Sequence, residues 1–163
     1  MRKILFFGLI FLSLTACKQG AQEVTEETTA FDISTENWPV KSKVSAKTAT
    51  ALKEWPEYVE LDQTFEGLYT VENTEDLSLI IEDLIEKQKL LAESGYPEAF
   101  DKPQIKSRQK VFHTFILKTK GDLEYRTDPQ LSVGEMIDAY NALRNQFDII
   151  STNTLDIKKL LEQ

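Results

Sequence analysis

The stretch from Asn73 to Gly95 constrains the fold most. Asn73 can cap a helix, and Glu75 and Asp76 load its first turn with negative charge, which suits the helix dipole. Leu77, Ile80, Ile81, Leu84, Ile85, Leu91 and Ala92 follow at three- and four-residue spacing. Gly95 and Pro97 then stop the run. The result is an amphipathic helix of about five turns. One face of such a helix is apolar, so it must lie against other elements, and the rest of the chain is read for what can cover it.

The covering elements also read as helices. Pro103 suits a first helical turn, and Ile105, Val111, Phe112, Phe115, Ile116 and Leu117 make a broad apolar face that predicts a central position. Gly121-Asp122 is expected to fray or end this helix, and Arg126-Thr127-Asp128-Pro129 reads as loop. Ser132-Val133-Gly134-Glu135 matches a capping box, followed by Ile137, Tyr140, Leu143, Phe147 and Ile150 on one face. Asn153-Thr154 is expected to start a short last helix. Between residues 44 and 70 the helical period runs through Pro56, and two abutting segments are favoured over one kinked helix. No alternating run of useful length and no Asn-Gly or Asp-Gly turn supports a strand. The fold class expected for residues 43–163 is therefore all-α, an up-down antiparallel bundle of about four main helices with short connections.

The N-terminus carries a different signal. Met1-Arg2-Lys3 is short and positive, Ile4 to Leu14 is almost wholly apolar, and Thr15-Ala16 is small. An apolar run of about eleven residues is too short to cross a bilayer and has the layout of a secretory signal peptide. Leu14-Thr15-Ala16-Cys17 resembles the lipobox of bacterial lipoproteins, whose cysteine is acylated before cleavage in front of it. The resemblance implies residues 1–16 as signal peptide and Cys17 as the lipid attachment point. It also implies a lipid bilayer as partner, held by two or three acyl chains. One chain alone attaches only reversibly. Lys18, not an aspartate, follows the cysteine, which resembles the outer-membrane default of Gram-negative lipoproteins. Cys17 is the only cysteine, so the mature chain must fold without disulfides in an oxidising compartment.

Composition enters at this point. Removal of Arg2 and Lys3 with the signal peptide takes the formal charge from -8 to -10 over 147 remaining residues. So acidic a chain argues against non-specific nucleic-acid binding and against docking on anionic lipid. Residues 17–42, rich in Thr, Glu, Gln, Ser and Lys, read as the lipidated cysteine and a flexible tether, with Trp38-Pro39 able to pack on the domain. A peptide motif around Phe31, Ile33 and Trp38 is the alternative.

The motifs of common chemistries are missing. There is no Gly-rich phosphate loop, His-x-x-x-His, Gly-x-Ser-x-Gly or cysteine pair, and the carboxylates Glu82, Asp83 and Glu86 suit a solvated helix face. His113, the only histidine, reads as an ordinary helix-flank residue, since one imidazole makes a poor metal site. No catalysis, cofactor or metal is expected. Residues 102–120 hold Lys102, Lys106, Arg108, Lys110, Lys118 and Lys120 with no acid. Pairing with the acidic helix that begins at Glu75 is the plain account, and a docking face for an anion is the sharper one.

Arg108, Arg144 and Asp62 each fall at helical spacing among apolar neighbours: Ile105 and Phe112, Tyr140 and Phe147, Tyr58 and Phe65. A buried charge must be paired and hydrogen-bonded. An Asp62–arginine cluster with Tyr140 and Asn141 is the expected resolution, either as a structural polar core or as the lining of a cleft for a small polar or anionic ligand. Pro103-Gln104-Ile105-Lys106-Ser107-Arg108 and Ala139-Tyr140-Asn141-Ala142-Leu143-Arg144 resemble segments of small Gram-negative envelope lipoproteins to which no activity is attached. Three function classes follow: a membrane-tethered, non-catalytic binding or scaffolding module with an envelope protein as possible partner, which is preferred; a ligand-binding lipoprotein using Asp62, Arg108, Tyr140, Asn141 and Arg144; and an enzyme, disfavoured for want of a nucleophile–base pair.

Overall fold

The computed structural model describes residues 33–161. The expected signal segment 1–16, Cys17 and residues 18–32 lie outside the described residues. Five α-helices follow in chain order: α1 (Ala46–Lys53), α2 (Pro56–Glu66), α3 (Thr74–Glu93), α4 (Pro103–Glu124) and α5 (Gln130–Leu161). A 3-10 turn, Gly67–Thr70, extends α2. Among the described residues there is no strand, and the protein is an all-α up-down bundle. Helices α2, α3, α4 and α5 pack in sequence, each on the next, while α1 lies against α2 and α5.

Local chemistry sets these boundaries. Ser45 caps α1, and its side chain accepts from the Thr48 N–H. Pro56 opens α2 directly after Trp55, so residues 44–70 form two abutting helices because proline suits a first turn and cannot continue one. The Asn73 side chain accepts from the Asp76 N–H at 2.8 Å and starts α3.

Three expected boundaries are corrected. Helix α4 runs through Gly121-Asp122 to Glu124, because the residue that leaves the helical region is Arg126, with φ 53°. The Thr127 N–H then reaches back to the Asp122 carbonyl, closing the helix end in the manner usual for a left-handed capping residue. Helix α5 begins at Gln130, not behind a box at Ser132, because Asp128 accepts from the Gln130 N–H at 2.9 Å. Ser132 is already in the first turn and donates to the Pro129 carbonyl. Finally, α5 passes unbroken through Asn153-Thr154 to Leu161.

Helices α2 and α5 face each other across a layer of rings. Phe65 stacks on Tyr140 with centroids 3.9 Å apart, and Tyr58 meets Phe147 edge to face at 5.4 Å. Phe112 of α4 and Phe100 of the preceding loop close the layer at 4.9 and 4.8 Å from Tyr140 and Phe147. Offset and edge-to-face pairs of this kind contribute about 0.5–1.5 kcal/mol each beyond the area they bury.

The segment from Ile33 to Ser45 corrects the expected tether, whose boundary at residue 42 is too late. Ile33 and Trp38 are buried in the core. The chain then runs extended along α5 as a strap. The Trp38 indole donates to Gln130 Oε1, and the Gln130 amide donates to the Ser34 carbonyl. Further along, Asn141 donates to the Val40 carbonyl at 3.0 Å and accepts from the Ser42 N–H at 2.7 Å. One side-chain amide thus serves a donor and an acceptor of the strap, as a neighbouring strand would. Arg144 donates to the Ser42 carbonyl, Asp148 accepts from the Ser45 N–H, and Lys47 donates to the Ser151 carbonyl. Asn141, Arg144 and Asp148 fall at three- and four-residue spacing, so one stripe of α5 holds the strap, and Ser151 one turn on takes Lys47 of α1.

Candidate functional site

Two polar constellations occupy the bundle. The first is the expected Asp62–arginine cluster. Asp62 Oδ1 accepts from Arg144 Nη1 at 2.7 Å, from the Tyr140 hydroxyl at 2.7 Å and from Lys41 Nζ at 3.0 Å. Arg144 Nη1 also donates to the Tyr58 hydroxyl at 2.8 Å. Lys41, from the strap, forms a second ion pair with Glu66. Two cations therefore meet two carboxylates. The Arg144 side chain is 8% exposed and that of Asp62 29%, so the pair is sheltered but not sealed. Burial first, then the nearby Asp62 charge, pushes the Tyr58 hydroxyl up to about 12. Burial raises the Tyr140 hydroxyl well above its ordinary range too.

Of the residues predicted to form a ligand site, the structure brings together Asp62, Tyr140 and Arg144, with Asn141 beside them on α5, holding the strap. It does not bring Arg108, which is exposed on α4. The residues of α4 facing inward are Ile105, Gln109, Phe112, Ile116 and Thr119, so Gln109 occupies the position expected of Arg108. Helical spacing fits either, and desolvation decides, since an amide is far cheaper to bury than a guanidinium. A depression of about 230 Å³ adjoins the cluster beside Val44, Leu52 and Val59. Tyr58, Asp62 and Arg144, which line it, are nonetheless engaged with one another and with the strap. The cluster clamps the strap to the bundle.

The second constellation lies between α3 and α4. An open cleft of about 510 Å³ is lined by Gln88, Ala92, Tyr96, Lys106, Gln109 and His113, among others. Gln88 and Gln109 are 2% and 3% exposed. Gln88 Oε1 and Gln109 Nε2 have no hydrogen-bond partner; the third such atom among the described residues is Ser42 Oγ, in the strap. Each unsatisfied buried amide atom costs about 1–3 kcal/mol. Both residues line the cleft, and their orphan atoms, one an acceptor and the other a donor, lie buried in its wall. Gln109 Oε1 is held by the Tyr96 hydroxyl, which leaves the amide nitrogen of Gln109 without a partner.

Two lysines of the basic stretch, Lys106 and Lys110, also line the cleft. Lys106 pairs with Asp101 and lies 4.9 Å over the Tyr96 ring. No ion pair joins Lys110 among the described residues, and Lys106 and Lys110 also border a second depression of about 540 Å³ with Asp101, Pro103 and Ser107. The basic stretch 102–120 does not pair with the acidic α3 as expected. Its ion pairs run to Asp101, Glu124 and Glu135.

The sequence reading missed Gln88, Tyr96 and Gln109 as site residues. A signal existed: Gln88 follows Leu84 by four and precedes Leu91 by three, and Gln109 stands likewise between Ile105 and Phe112. Among the described residues no group of three or more potential ligands is placed to hold a metal ion. No protein-family profile, curated protein or solved structure matches this chain.

Proposed function

We propose that the protein is a lipid-anchored, non-catalytic binding module of the cell envelope, and that the cleft between α3 and α4 is its binding site. Cys17 carries the lipid, and the most fitting location is the outer membrane. The observation that carries the binding reading is the pair of orphan amide atoms on Gln88 and Gln109 beside one open cleft. Buried polar groups are hydrogen-bonded in the large majority of cases, so two exceptions beside one cleft call for an explanation, and a ligand supplies one.

Two further features support it. The strap meets the bundle at Gln130, near the C-terminal end of α4, whereas the cleft uses the N-terminal half of that helix. At 1.5 Å per residue, Gln109 stands about 20 Å along α4 from Glu124, which puts the cleft toward the end of the bundle opposite Gln130, where the described strap begins. A non-catalytic role fits the cleft hydroxyls. That of Thr114 donates to the Lys110 carbonyl and that of Tyr96 to Gln109, so neither stands free as a nucleophile beside His113.

The test is capture of the full-length chain from its native envelope, alongside the Gln88→Leu/Gln109→Leu variant, with mass spectrometry of everything retained. A companion present with the native chain and lost from the variant supports the reading. Identical profiles reject it.

A further inference from the structure

Which ligand does the cleft suit? Its unsatisfied atoms are of opposite kind. Gln88 Oε1 needs a donor and Gln109 Nε2 needs an acceptor. An extended peptide segment presents both along one edge, because the N–H and C=O of one residue point to the same side. The same pairing is made elsewhere in this molecule, where the Asn141 side chain serves the Val40 carbonyl and the Ser42 N–H together.

The rim adds charge and extent. Lys110 projects from α4 without an ion-pair partner among the described residues, and Lys106 shares its charge with Asp101 alone. Both lysines border the cleft and the depression beyond it, so the two hollows adjoin across them. An occupant lying over both is extended and meets two ammonium groups part-way along. Resting on the reading of the cleft as the binding site, we infer that it takes a short acidic peptide segment, held by the main-chain N–H and C=O of one residue at Gln88 and Gln109 and by a carboxylate at Lys110 and Lys106. Main-chain recognition supplies affinity with little regard to side chain, and the lysines select for the negative charge.

Titration calorimetry on the full-length chain in detergent tests this with four probes: acetyl-Ala-Glu, uncharged acetyl-Ala-Gln-amide, glutarate and inorganic phosphate. Acetyl-Ala-Glu is expected to bind at least about tenfold more tightly than the other three, because only it offers both an amide edge and carboxylates. Gln109→Leu and Gln88→Leu should each weaken it about tenfold without lowering the melting temperature. Lys110→Gln should weaken it several-fold and reduce its dependence on salt. Glutarate or phosphate binding as tightly as the peptide, indifferent to the glutamine variants, would mean a basic surface only and overturn the assignment. So would equal binding of the uncharged peptide, or no binding by any probe. A companion captured from the envelope in a Gln88- and Gln109-dependent manner, with no peptide binding here, would keep the cleft as the site and reject the acidic peptide as its ligand.

Discussion

Asp62 Oδ1 accepts from three donors on two parts of the chain: Lys41 in the strap, and Tyr140 and Arg144 one turn apart on α5. Removing it leaves two cations facing each other without their shared counter-ion. Breaking a fully buried pair costs about 3–5 kcal/mol, and the partial exposure of Asp62 argues for the lower end. Asp62→Ala is expected to lower the melting temperature by roughly 10 °C, and Asp62→Ala/Arg144→Met to recover part of that loss. Arg108→Met, at an exposed position, should move it by no more than about 1–2 °C. Thermal melts followed by circular dichroism decide; an Asp62→Ala melt equal to the native one refutes the clamp. The two buried hydroxyls give the same cluster a pH signature. A phenol whose folded pKa lies above its unfolded value contributes its full stability below the unfolded pKa, near 10, and loses it as pH rises through the folded one. For Tyr58 that window runs from about 10 to about 12. Urea midpoints should therefore fall between pH 10 and 12, and Tyr58→Phe should fall less steeply.

At the scale of elements, helix α3 was legible from end to end, since capping residue, acidic first turn, apolar stripe and stop signal all agree. Its neighbour α4 was legible as a helix but not in its rotation. Ile105 and Phe112 belong to two different faces by spacing, one completed by Arg108 and the other by Gln109, and only packing against α3 and α5 chooses between them. The strap was hidden for another reason. An extended segment held by side-chain hydrogen bonds has no period, so composition alone made residues 33–42 look like linker. Its counterpart on α5 was visible in part: Arg144 and Asn141 stood out as candidates for a polar cluster, but nothing in their spacing said that an extended segment would be their partner, and Asp148 on a helix surface needs no explanation. Burial raises the Asp148 carboxyl, but hydrogen bonds from Thr48 and Ser45 outweigh this and hold it below its usual range. These bonds predict slow exchange for the Ser42 and Ser45 amides, and Asn141→Ala should speed exchange at Ser42 at least tenfold by removing its acceptor. Hydrogen exchange with mass spectrometry measures both. Equal rates in the two proteins would mean that the strap is held elsewhere.

Over the whole molecule, position along the chain divides the tasks. The proposed anchor is at Cys17 and the first core residue among those described is Ile33, so the lipid and the fold share no contact that the sequence requires. The strap fixes which end of the bundle the chain leaves from, and the cleft lies toward the other. This long-range arrangement was not legible beforehand. Glutamine carries no chemical signature, and the cleft exists only where α3 and α4 meet. The N-terminal quartet, in contrast, is a local message that needs no fold to be read. If it is a lipobox, Cys17→Ser should remove all acylation while leaving the body's melting temperature unchanged. Each buried methylene contributes about 0.8 kcal/mol, so losing two or three acyl chains removes far more than any surface attraction of a chain with formal charge -8 can replace. The variant is expected as unprocessed precursor or as released protein in the envelope's aqueous fraction, against a native chain recovered wholly with membranes. Labelled palmitate that still appears in Cys17→Ser would refute the anchor, and a lowered melting temperature would show that the N-terminal segment touches the bundle after all.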